Sequence, residues 1–254
     1  MLLSVKFGAM RTPAGAWGGF DGRPNAVKNF AAYTLQRLKT DRIDIYRPAR
    51  LDPQVPIEET VGAIAELVQA GYVRYIGLSE MGVETVRRAR ATHAICDLQI
   101  EYSIATRGIE RQILPALRAM GVGVTAYGVL SRGLLSGSQV GGAGDFRAGM
   151  PRFSGGNYER NRQAVERLAG FARERGVTPA QIAIAWVLAQ GEDIVPVMGA
   201  RTRRQLQEAL SGLEVKLASG ELEQLEGIFA PGEIAGSRYD EAHMRMLDSE
   251  RGAS

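Results

Sequence analysis

Arg42 to Glu80, RIDIYRPARLDPQVPIEETVGAIAELVQAGYVRYIGLSE, decides the fold. Ile43-Asp44-Ile45-Tyr46 reads as a strand. Pro56-Ile57 opens a helix in which Val61, Ile64 and Val68 recur at helical spacing. Tyr75 to Leu78 is a second apolar run of strand length. A strand, a helix and a strand at this spacing make a parallel β-α unit, because parallel neighbours need a long crossover.

The alternation continues on both sides. Upstream, Leu2 to Phe7 is a candidate strand, Pro13 to Arg23 a Gly-rich loop, and Pro24 to Leu38 a helix with Val27, Phe30, Ala31 and Leu35 on one face. Downstream, a helix is predicted over Val83–Ala91, a strand over Ile95–Ile100, a helix over Ile109–Met120 and a strand over Gly123–Tyr127. A polar loop follows from Gly137 to Gly156, then helices near Glu159–Arg175 and Pro179–Ala189, the latter with Thr178 as its N-cap. Ile194 to Met198 supplies a sixth strand, which turns at Gly199 and carries Arg201, Arg203 and Arg204 into a helical pattern with Leu206 and Leu210 as its apolar positions. Backbone N–H groups and arginines at such a turn suit a phosphate or carboxylate.

No G-x-G-x-x-G follows a strand, which counts against a Rossmann domain and favours a barrel. In a parallel barrel, function gathers at the C-terminal strand ends. The residues there are Lys6, Tyr46 to Arg50, Ser79-Glu80, Gln99, Glu101-Tyr102, Tyr127 and Gly199 to Arg201.

With 254 residues, 45% hydrophobic and 23% charged, the chain has the composition of a folded α/β domain, and a single domain over 1–254 is expected. A net charge of +3 without a long basic run argues against nucleic acid as a partner. Cys96, the one cysteine, excludes an internal disulfide, and no Cys/His spacing suggests a metal site. No stretch reads as a signal peptide or membrane span, so a cytoplasmic location is expected.

Several segments together resemble the aldo-keto reductases: VKFG (Val5–Gly8), the Arg42–Glu80 stretch, LQIEYS (Leu98–Ser103), GVGVTAYGVLSRGLLSG (Gly121–Gly137), DFRAGMPRF (Asp145–Phe153), the 194–210 stretch and GSRYDEAHM (Gly236–Met244). They come in family order along nearly the whole chain. The resemblance implies a TIM (β/α)8 barrel, an extended NADP(H) cofactor and reduction of small aldehydes or ketones. By position, Lys6 matches the catalytic lysine, Ser79 and Gln99 the nicotinamide carboxamide ligands, and Tyr127 the aromatic that stacks on the ring. Gly128, Leu130 and Arg132 fall on the pyrophosphate segment. Gly199, Ala200, Arg201, Gln205 and Glu208 fall on the adenosine and 2′-phosphate site, where Arg201 favours NADPH over NADH.

The departures also carry expectations. The family's tyrosine and aspartate come from two β-α units that precede the VKFG strand, so the resemblance implies that these units lie outside this chain. A lost N-terminal segment is the favoured account, against a truncated homologue or a partner chain that completes the barrel; a homo-oligomer is a further state left open. Ala49 stands at the family's histidine position. The alternative function is a cofactor-binding, catalytically weak relative comparable to the potassium-channel β subunits. If this chain reduces aldehydes as fast as an N-terminally extended one, another residue supplies the proton, and Tyr46 and Tyr102 are the first tyrosines to test.

Overall fold

The computed structural model describes residues 1–138 and 144–251; residues 139–143, early in the expected Gly137–Gly156 loop, lie outside the described residues. The chain opens with β1 (Ser4–Phe7) and a short antiparallel hairpin, β2 (Ala9–Arg11) and β3 (Trp17–Phe20). Part of the expected Gly-rich loop is therefore a hairpin. Gly8 and Gly19 take φ of +89° and +90° there, and Gly8 accepts from the Asp21 N–H at 2.9 Å.

Next come α1 (Pro24–Leu38), β4 (Ile43–Pro48), α2 (Ile57–Gln69), β5 (Val73–Ser79), α3 (Val83–Thr92), β6 (Ile95–Glu101), α4 (Ile113–Met120) and β7 (Gly123–Tyr127). The expected Ile109–Met120 helix is split into a 3₁₀ turn over Gly108–Glu110 and then α4. The remaining elements are α5 (Gly155–Glu174), α6 (Pro179–Ala189), β8 (Ile194–Pro196), α7 (Arg203–Ser211), α8 (Ser219–Ile228) and α9 (Glu241–Arg245). Two 3₁₀ turns, Phe146–Gly149 and Pro151–Phe153, occupy the later part of the expected polar loop.

The main sheet has six strands in the order β1-β4-β5-β6-β7-β8. Pairing is parallel between β1 and β4, β4 and β5, and β5 and β6. Register sets Lys6 opposite Arg47 and Ser79 opposite Gln99. Lys6, Ser79, Gln99 and Tyr127 lie in the C-terminal halves of their strands.

The described residues form two compact units. The first comprises residues 1–100, 111–124 and 245–251. Its core joins Val27 of α1, Ile43 and Tyr46 of β4, Val61 and Ile64 of α2, and Ile76 and Leu78 of β5, all fully buried. These are the faces that the helical periodicity marks on α1 and α2. Phe7 and Tyr46 stack with ring centroids 4.4 Å apart.

The second unit comprises residues 101–110 and 125–244. Its centre is α6, where every residue from Ile182 to Val187 is buried. A helix that is apolar all round belongs inside a core. Thr178 and Gln181 form the capping box at its start, as the N-cap reading expects. By contrast, α7 buries no residue: Leu206 and Leu210, the apolar positions of its helical pattern, are 52% and 55% exposed. Its start is held by Thr202 and Gln205 rather than by burial.

Candidate active site

In the first unit, the polar group is built on the ends of β1, β4, β5 and β6. Lys6 reaches solvent, yet partial desolvation lowers its ammonium pKa to about 8 from the ordinary 10.5. Arg50 and then Arg47 push the same way by charge repulsion, while Glu80 opposes them. Arg47 is buried and donates to Asp97 Oδ2 and to Ser4 Oγ, both at 2.9 Å. A bare guanidinium would not be stable there, and the ion pair is what makes its burial tolerable. Gly77 leaves the room for it: a Cβ at that position would lie 3.1 Å from Arg47 Cζ and 2.6 Å from Asp97 Oδ1.

Ala49, at the expected histidine position, offers only backbone: its N–H donates to Phe7 O at 2.8 Å. The neighbouring Arg50 donates from Nη1 to Ala49 O at 2.6 Å and to Ser79 Oγ at 3.5 Å. Ser79 is fully buried and Gln99 is 8% exposed. Glu80 is also fully buried, has φ of +54°, and accepts from Ser249 Oγ at 2.8 Å.

The structure corrects the tyrosine expectation. Tyr46 has no exposed surface, its hydroxyl donates to Val27 O at 3.0 Å, and burial pushes its pKa up. Tyr102 is equally buried and donates to Glu110 Oε1 at 2.9 Å. Both hydroxyls are engaged in the protein interior, so neither serves as a proton donor to a substrate.

In the second unit, a cleft of about 700 Å³ opens beside the end of β7. Tyr127, Gly128, Leu130 and Arg132 line it from the β7 side, and Gly199, Arg201 and Gln205 from the turn before α7. Those are seven of the nine positions expected here. Ala200 and Glu208 do not line it; Glu208 instead uses its carbonyl to accept from Gln181 Nε2 at 3.5 Å. Gln205 is partly committed, since its Oε1 accepts from the N–H groups of Arg201 (2.8 Å) and Thr202 (3.2 Å). Gln205 N–H in turn donates to Thr202 Oγ1 at 3.2 Å. Much of the helix-start donor set is therefore consumed by capping, and the charge offered at this turn comes from the arginine side chains.

Among the lining residues that escape the sequence reading as site residues are Asp145, Arg147 and Tyr239. Asp145 and Arg147, paired at 2.7 Å, stand on the wall and lie within the DFRAGMPRF motif. Tyr239 lines the cleft from the GSRYDEAHM segment.

Beneath the wall, the buried Glu101 carboxylate gathers cations. It lies 3.3 Å from Arg132 Nη2, 3.5 Å from Arg152 Nη1 and 3.8 Å from Arg238 Nη1, and accepts from Thr106 Oγ1 at 3.1 Å. Glu101 thus draws three guanidiniums together. Gly128, at φ +70°, passes close over Glu101: a Cβ there would stand 2.9 Å from Glu101 Cγ. Ser131 and Arg132 also take left-handed φ of 45° and 55°, a conformation that costs about 1–3 kcal/mol per residue.

Among the described residues, no group of three or more His, Cys, Asp or Glu could hold a metal ion, and no helix is long and apolar enough to cross a membrane. The donor set suits an anionic organic cofactor: glycines for close backbone approach, arginines for phosphate, and an aromatic ring at the strand end.

A parallel α/β sheet with polar strand ends and a cationic strand-to-helix cleft defines the barrel-type class of cofactor-binding protein. Residues 1–230 match the model of the Aldo/keto reductase family, and the chain belongs to that family. It is 41% identical over 222 residues to a probable aldo-keto reductase 1 of Glycine max, covering 86% of this chain and 64% of that protein. It is 37% identical over 256 aligned positions to the aldo-keto reductase str7 of Strobilurus tenacellus, covering 98% and 74%. The structure of the glycerol dehydrogenase AKR11B4 from Gluconobacter oxydans superimposes with a TM-score of 0.84 at 26% identity, over 90% of this chain and 72% of that one. The fold is thus that of the aldo-keto reductase barrels.

Proposed function

We propose that the chain binds NADP(H) and serves the reduction of small aldehydes or ketones. The observation that carries this reading is the cleft beside β7, where seven of the eleven expected cofactor positions gather, Arg132 and Arg201 among them. Arg201 takes the 2′-phosphate and Arg132 the pyrophosphate, each by charge-assisted hydrogen bonds. The Tyr127 ring offers a face for stacking. When bound, the nicotinamide supplies the hydride.

Lys6 is the chemical residue of this reading. With its pKa near 8, it remains mostly a cation at neutral pH and stabilises negative charge developing on a carbonyl oxygen. Ala49 cannot help, and Tyr46 and Tyr102 hold their protons inside the protein. These three facts favour a second reading, a cofactor-binding member with weak catalysis.

Fluorescence titration of Arg201→Ala tests the cofactor assignment. A charge-assisted bond is worth about 1.5–3 kcal/mol, so NADPH binding falls about tenfold or more while NADH binding is unchanged. Equal loss for both nucleotides refutes it. NADPH consumption with an aldehyde panel then separates the reductase from the weakly catalytic reading.

A further inference from the structure

Arg132 is held from two sides in the second unit. On one, its Nη2 donates to the buried Glu101 at 3.3 Å. On the other, its guanidinium lies 4.4 Å from the centre of the Tyr239 ring, a cation–π distance. Tyr239 also meets Tyr127, with hydroxyl oxygens 3.1 Å apart, and Arg238 Nη1 donates to that same Tyr127 hydroxyl at 3.3 Å. Residues 238 and 239 therefore touch both chemical elements of the cleft wall, the aromatic ring and the phosphate-seeking guanidinium.

The backbone makes this support necessary. Ser131 and Arg132 sit in the left-handed region, which non-glycine residues occupy only when surrounding contacts overdetermine it. Glu101 fixes one edge of the guanidinium. Without a second contact, a long arginine side chain keeps much of its rotamer freedom, and ordering it on binding costs affinity.

We infer that Tyr239 is a positioning residue of the cleft, which preorganises Arg132 with its ring face for a diphosphate group. This rests on the dinucleotide reading only for the identity of the ligand; the diphosphate chemistry is tested separately. Arg201 and Tyr239 then act on different parts of the ligand. Arg201 discriminates between nucleotides, whereas Tyr239 contributes equally to all that share a diphosphate.

The test compares Tyr239→Leu, Tyr239→Phe and Tyr239→Trp, with folding checked by circular dichroism, in titrations with NADPH, NADH and inorganic pyrophosphate. Tyr239 is only half-buried, so the variants retain the fold. Tyr239→Leu weakens all three probes by about threefold to tenfold and leaves the NADPH-to-NADH ratio unchanged. Phe and Trp, which keep a ring face, bind within about twofold of the parent chain. A purely structural role would not follow the aromatic series. If NADPH binds the parent chain and Tyr239→Leu equally, the positioning role is overturned and the cofactor reading stands. If pyrophosphate binding alone follows the ring, the positioning role stands and the dinucleotide reading falls. If the parent chain binds none of the three probes, both fall.

Discussion

Replacing Glu101 with glutamine tests the charge arrangement beneath the cleft. The substitution keeps the side-chain shape and removes one negative charge from a carboxylate with no solvent exposure. Three guanidiniums within 3.3–3.8 Å lose this negative charge, two of them on side chains 8% and 6% exposed. Removing one partner of a buried ion pair costs about 3–5 kcal/mol, because the remaining charge is left uncompensated. Arg132, 15% exposed, recovers some hydration, so the lower half of that range applies. At about 2–4 °C per kcal/mol for a chain of this size, the midpoint falls by about 6–16 °C. Thermal unfolding followed by circular dichroism reads this directly. A fall below 2 °C would show that the arginines do not depend on Glu101, and the argument for a preloaded cationic wall would fail.

Three further outcomes follow from other parts of the molecule. Lys6 reacts with an amine-directed reagent at pH 8 at least about tenfold faster than Lys28, measured by peptide mass spectrometry; it is half-deprotonated there, while Lys28 is paired with Glu66. Because folded Lys6 releases its proton near pH 8 and the unfolded side chain near 10.5, this group makes stability rise with pH across that window, and a Lys6→Met variant lacks that component. Thr202→Ala removes the side-chain cap of a helix with no buried residue, costs about 1 kcal/mol locally, and speeds amide exchange in Arg203–Ser211 without changing exchange in α6. Unchanged protection there would mean that the capping box does not hold α7.

Elements whose ends carry local signals are legible in the sequence. Helices Pro24–Leu38 and Pro179–Ala189 begin at a proline, which suits the first helical turn, and strand Gly123–Tyr127 follows a helix whose C-cap is Gly121 at φ +67°. The β2–β3 hairpin is not legible, because WGGF has no alternation of apolar and polar residues. The leucines of α7 mislead for a different reason. Periodicity shows that a helix has an apolar stripe, but not that anything in the described residues covers it. At the site, the positions near strand ends come through the family resemblance. The commitment of Gln205 to capping and the reach of Tyr239 are tertiary facts, since one depends on rotamer and the other spans 112 residues to Tyr127.

The closure of Glu80 by Ser249 has a consequence for the order in which the chain matures. Ser249 Oγ donates to the buried Glu80, and Asp248 Oδ2 accepts from the Gly82 N–H at 2.8 Å, contacts that span 169 and 166 residues. During synthesis, residues 1–100 emerge long before residues 245–251, which belong to the same compact unit. The β5–α3 turn must wait, through the synthesis of the entire intervening stretch, for the hydroxyl that completes it. Contacts this distant in sequence form slowly, so this turn is among the last parts of the first unit to become native. Until then, Glu80 lacks one of its donors, and the strand end that carries Ser79 is finished only after the final helix has been made.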